Sequence, residues 1–158
     1  MIPVDAKNEI VEIELKDLLL KVMKMKNAKL RLSQACCAYV DGKIELSYSF
    51  SNDRNYDLIT LRVKVDVDTK IPSISEIMPS AIYYENEMKE LFGINIQMIA
   101  VDYHNKLYRI KKKAPMLPEE VREELEAKKA ARKEELKKEA LEKEGGSAEL
   151  MAEEEEED

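Results

Sequence analysis

Tryptophan is missing altogether, histidine occurs once and glycine four times in 158 residues, and each shortage removes a class of chemistry. A metal centre of ordinary type needs three or four converging His, Cys, Asp or Glu ligands, more than His104 and the adjacent Cys36 and Cys37 can supply. Neighbouring cysteines lack CxxC spacing, disfavour a disulfide with each other, and fall short of the thiolates that hold an iron-sulfur cluster. They read as structural thiols of a reducing compartment. With glycine only at 42, 93, 145 and 146, neither a dinucleotide fingerprint nor a phosphate-cradling loop is present. No apolar run approaches the ~20 residues that span a bilayer. Asp5, Glu9, Glu12 and Glu14 stand where a secretory leader would be basic and then apolar. The expectation is a cytoplasmic chain that meets a membrane only through partners.

Charge is unevenly placed. Residues 119–158 hold 17 acidic and 8 basic residues against 33 and 26 in the whole chain, which leaves 16 and 18 in positions 1–118. The net −7 therefore belongs to the C-terminal part, and the balanced remainder offers no phosphate-binding face, so nucleic acid is not expected as a partner.

Leu15, Leu18, Leu19, Val22 and Met25 form one apolar stripe at helical spacing, which predicts a helix over Ile13 to Met25. Lys29 to Val40 reads as a strand, and Asp41-Gly42 as a type I′ hairpin turn, whose two central positions need positive φ. Ile44, Leu46, Tyr48 and Phe50 alternate with polar residues, as do Ile59, Leu61, Val63, Val65 and Val67. Three such strands make an antiparallel meander whose apolar face must be covered by helices, an α+β domain. Ser73 and Glu76 match a capping box, Pro79 forces a second helix start, and Ala81, Tyr84, Met88, Leu91 and Phe92 share a face up to a stop at Gly93. Ile94, Ile96 and Met98 predict a fourth strand, and Lys106 to Ile110 a further extended piece.

The predicted organisation is a domain at 1–113, a Pro-containing linker at 114–118, a charged solvated helix at 119–144 and a disordered acidic tail at 145–158. Glu87 and Glu90, three apart on one helical face, are the one constellation that invites an active site. A bundle-type di-iron site would require His where Glu90 stands, and without Trp no sugar-binding cleft is evident. His104 reads as a turn residue.

Pro72-Ser73, Pro79, Ala81 and Tyr84, followed by Glu85, Glu87, Glu90, Phe92, Gly93 and Ile94, resemble the C-type peripheral subunit of respiratory complex I and of its hydrogenase relatives. Coverage is roughly positions 10 to 110. That family usually has Glu-Arg-Glu where Asn86 stands here, and its His- and Arg-rich continuation is only loosely matched by Tyr103 to Ile110. The short chain is most similar to the corresponding small subunit of energy-converting, Ech-type nickel-iron hydrogenases. The resemblance implies a non-catalytic subunit with no cofactor of its own, on the cytoplasmic side of a membrane. It implies docking against a large catalytic subunit beside a small iron-sulfur subunit, with the iron-sulfur clusters and nickel-iron centre held by those partners. Tyr84, Glu85, Glu87, Glu90, Phe92 and Gly93 are then the expected interface. The competing readings are a free-standing interaction module with an acidic tail and a stand-alone hydrolase built on Glu87 or Glu90.

Overall fold

The computed structural model describes residues 6–135, and the chain divides after Pro118. A four-stranded sheet dominates the first unit. It is built from β1 (Asn8–Glu12), β2 (Arg31–Val40), β3 (Lys43–Ser51) and β4 (Leu58–Val65) in the order β1-β4-β3-β2. The pairs β2/β3 and β3/β4 are antiparallel, which is the expected meander, and Asp41 and Gly42 turn between the first two at φ of 48° and 81°. The alternation in β3 is realised in full: Ile44, Leu46, Tyr48 and Phe50 are wholly buried on one face. The opposite face pairs hydroxyls and charges across strands, Ser33 with Ser51 at 2.7 Å, Ser49 with Thr60 at 2.8 Å and Lys64 with Glu12 at 2.7 Å.

β1 makes the sheet mixed, because it pairs parallel to β4. Here the structure corrects the predicted helix start at Ile13. The Ile13 amide still donates to the Arg62 carbonyl at 2.9 Å, so the chain leaves the sheet only afterwards, through a 3-10 turn at Leu15–Asp17. The helix α1 is Leu18–Asn27, with Leu18 and Val22 wholly buried. It ends where Lys29 takes a left-handed φ of 58°, which moves the start of β2 to Arg31.

The second helix, α2 (Ala81–Phe92), packs against β2 on the apolar face of the sheet. Gly93 ends it at φ 64°, the left-handed conformation that a Cβ disfavours by roughly 1–2 kcal/mol. Gly93→Ala is expected to lower stability by about 1 kcal/mol, read as a shift in denaturation midpoint at constant slope. Before and after α2 lie β5 (Lys70–Pro72) and β6 (Asn95–Gln97), which pair with each other in a separate parallel sheet. Ile71, Ile74, Ile94 and Ile96 are buried around it.

The predicted fourth strand forms as β6 but ends short of Met98, and the other extended prediction fails. Met98 turns away from β6 with φ 61°, and Lys106 to Ile110 forms no strand. Beyond Pro118 a helix begins at 119 and continues to 135; the predicted remainder of that helix and the acidic tail lie outside the described residues.

Candidate functional site

Both faces of α2 carry polar side chains that reach other parts of the chain. Glu85 is four residues after Ala81 and three before Met88, so helical spacing places it on the apolar stripe, and it is wholly buried there. Its carboxylate accepts the Ile74 amide at 2.8 Å and the Ser73 hydroxyl. Because the Ser73 proton is committed to Glu85, Ser75 Oγ is the donor to Ser73 Oγ at 2.6 Å, and Ser75 Oγ in turn accepts the Ala100 amide at 2.8 Å. Ser73 thus serves a carboxylate twelve residues away instead of the predicted capping box with Glu76, although one turn does form, with the Met78 amide on the Ile74 carbonyl at 2.8 Å. The buried Tyr48 hydroxyl faces the same carboxylate in a geometry short of a hydrogen bond.

Burial raises the Glu85 pKa above the ordinary value near 4.5, against the opposite pull of its donors Ser73 and Ile74. Between that ordinary value and the raised one, the folded chain keeps a proton that the unfolded chain has lost, so stability falls as pH rises through the window. Glu85→Gln removes this titration. The wild-type melting temperature minus that of the variant is expected to decrease as pH rises above 4.5, and a constant difference would contradict the assignment. Asp102 has the opposite sign: its hydrogen bond with Lys89 lowers its pKa, a contribution present above 3.8 and lost as pH falls. It is common to both proteins and cancels in the difference.

The other polar stripe of α2 holds the chain that follows β6. Asn86, nearly fully buried, donates to the Ile82 and Val101 carbonyls, each at 2.8 Å, and accepts the Tyr103 amide at 2.8 Å. Lys89 pairs with Asp102, whose other oxygen accepts the His104 amide at 2.8 Å. Buried Glu90 accepts the Leu107 amide at 2.7 Å and the Tyr108 amide at 3.2 Å, and Glu87 accepts the Tyr108 hydroxyl at 2.6 Å. Tyr83 stacks on Tyr103 with ring centroids 6.1 Å apart. The failed strand at Lys106 to Ile110 has its cause here: amides that a ladder would need are given to Glu90.

Of the expected interface residues, Glu85 and Glu90 are therefore committed inside the chain, while Glu87 is half-buried and bound to Tyr108. Tyr84 is half-buried with its hydroxyl on the Ser33 carbonyl at 3.3 Å, and Phe92 and Gly93 form a half-buried corner. His104 is exposed in a turn at φ 53°. Cys36 is exposed, Cys37 is half-buried with its thiol pKa raised by desolvation, and both are free thiols. Among the described residues no group of three or more His, Cys, Asp or Glu is placed to hold a metal ion. No helix among them is long and apolar enough to cross a membrane.

Sequence reasoning missed Asn86, Ser75, Lys89 and Asp102. Tyr83, Asn86, Glu87 and Glu90 do recur at helical spacing, a polar stripe whose partner is the chain's own continuation.

The family model described as "Respiratory-chain NADH dehydrogenase, 30 Kd subunit" matches residues 11–119. The C-type subunit of NADH-quinone oxidoreductase from Chelativorans sp. (strain BNC1) is 30% identical over 80 residues, which cover 47% of this chain and 40% of that protein. Its namesake from Ruegeria pomeroyi is 30% identical over 79 residues, 46% of this chain and 40% of that one. The match thus spans about two fifths of the length of these relatives. A protein from the structure of the membrane-bound sulfane sulfur reductase, an archaeal respiratory membrane complex, shares the fold. Its TM-score is 0.59 at 16% identity, covering 73% of this chain and 72% of that one.

Proposed function

The chain belongs to the family of the respiratory-chain NADH dehydrogenase 30 kDa subunit, and on that premise we propose that it is a non-catalytic structural subunit of a membrane-bound, complex I-like oxidoreductase. The observation that carries the reading is the use made of the α2 carboxylates. Glu85 and Glu90, the two buried acids of the family-marking stretch, accept backbone amides of their own chain. A buried carboxylate whose oxygens both accept donors of its own chain fixes backbone, which is a structural use of the group.

In this proposal the chain sits peripherally on the cytoplasmic face. It docks against a large subunit of the nickel-iron hydrogenase type and a small iron-sulfur subunit, which hold the clusters and the nickel-iron centre. Electron transfer coupled to ion translocation takes place in those partners, and this chain supports their arrangement. The energy-converting hydrogenase type is the form that the sequence resemblance favours.

The test is a native gel of mild-detergent membrane extract, with the full chain tagged in its own cells and metal measured along the lane. Comigration with iron and nickel in a large complex is expected. Comigration with iron alone would reject the hydrogenase type and keep the subunit role. Migration of the chain alone, without metal, would reject both and favour the free-standing interaction module.

A further inference from the structure

We propose that the segment from Met98 to Lys113 is a docking surface for a protein patch that combines acidic side chains with apolar pockets. The inference rests on the subunit reading and adds where contact is made and what chemistry the partner must show.

The segment has almost no regular structure, yet it is held at many points. Ser75 anchors Ala100, Asn86 anchors Val101 and Tyr103, Lys89 anchors Asp102, and Glu90 anchors Leu107 and Tyr108. Met98, His104 and Asn105 take positive φ of 61°, 53° and 57°, conformations uncommon outside glycine. Fixing irregular backbone in such states is unfavourable, and here two buried α2 residues, Asn86 and Glu90, offset it.

The side chains that this scaffold turns outward are apolar and basic. Met98 is 87% exposed, Val101 49%, Tyr108 43% and Ile110 42%. One exposed apolar residue is ordinary, whereas four within thirteen positions of an anchored segment mark a contact surface. From Tyr103 to Pro118 there are five Lys or Arg residues and no Asp or Glu, although positions 1–118 as a whole are nearly balanced. Lys106, Arg109, Lys111 and Lys113 are exposed. The acids that hold the segment are already committed: Asp102 to Lys89, Glu87 to the Tyr108 hydroxyl and Glu90 to backbone amides. Charge complementarity therefore asks for an acidic partner. A protein fits better than a lipid surface, because side-chain anchors that impose one backbone shape serve a partner of fixed shape. Interfacial membrane binding typically uses an amphipathic helix, and this segment is not helical.

The test places a photo-crosslinking residue at Ile110, and separately at the exposed apolar Leu20 of α1, in the full chain expressed in its own cells. Crosslinked peptides are then sequenced. Lys106→Glu, Arg109→Glu and Lys111→Glu are combined in a parallel variant. Support is a crosslink from Ile110 to an Asp- or Glu-rich peptide of another subunit, together with a loss of about tenfold or more in complex recovered with the triple variant. The isolated variant should keep its melting temperature within about 2 °C, since exposed charges add little to stability. Full assembly of the triple variant, with crosslinks from Leu20 only, would overturn this surface while leaving the subunit role intact. Crosslinks from Ile110 to lipid, to a second copy, or to the acidic residues 149–158 would overturn the proposed occupant. A wild-type chain found outside any complex would overturn the subunit role as well.

Discussion

Replacing Glu85 by alanine is expected to lower the melting temperature by about 10–15 °C, one of the two largest single-residue effects in the chain. The substitution leaves the Ile74 amide and the Ser73 hydroxyl without their acceptor in a site where Glu85 and Ile74 are wholly buried. Each stranded donor costs about 1–3 kcal/mol, and a domain of this size loses roughly 4 °C per kcal/mol. Ser73 also orients Ser75, which holds the Ala100 amide, so the damage extends from β5 to the segment after β6. Glu85→Gln retains one acceptor oxygen and should recover about half of the loss. Thermal melts of the three proteins at one pH decide it; equal melting temperatures would show that the carboxylate holds nothing.

Glu90→Ala is expected to destabilise by about 2–3 kcal/mol and to act locally. Its carboxylate accepts two consecutive amides, Leu107 and Tyr108, which carry the middle of the proposed docking surface. Without it those amides turn to water, and the segment from Lys106 to Ile110 loses its fixed shape. Loss of shape should reach partner binding through the entropy of reordering the segment, roughly tenfold weaker for each 1.4 kcal/mol lost. Glu87→Ala is the comparison, because it removes only the hydrogen bond to the Tyr108 hydroxyl. Recovery of the complex should fall clearly with Glu90→Ala and little with Glu87→Ala.

The parts of the fold legible in the sequence are those set by local periodicity and turn chemistry. The alternation from Lys43 to Phe50 predicts both the strand and its buried face, Asp41-Gly42 the hairpin, and Gly93 the end of α2, since each follows from pleat or from φ alone. β1 was not legible. Its residues, Asn8–Glu12, are mostly exposed, and it is a strand only because β4 lies beside it and Glu12 meets Lys64. Tertiary partners likewise override the strand pattern at Lys106 to Ile110.

At the candidate site, residue types were legible and their partners were not. The spacing of Glu85 within Ala81, Tyr84 and Met88 does signal burial, yet nothing local announces that Ser73 and Ile74 await it. The polar stripe of Asn86, Glu87 and Glu90 reads as an outward edge because α2 alone gives no reason for the chain to return over it. Asn86 stands where the resembled family usually has arginine. The local consequence is compact: a short amide reaches one amide and two carbonyls from a nearly fully buried position.

Hydrogen exchange of the full chain, resolved by residue and compared between wild type, Asn86→Ala and Glu90→Ala, tests most directly whether α2 exists to hold the segment after β6. In the wild type the Tyr103, Leu107 and Tyr108 amides should be protected although they lie outside any strand. Exchange at Leu107 and Tyr108 should quicken about tenfold or more in Glu90→Ala, and at Tyr103 in Asn86→Ala, while the Leu46 and Tyr48 amides of β3 remain protected. Unprotected amides at all three positions in the wild type, or unchanged exchange in both variants, would contradict the account.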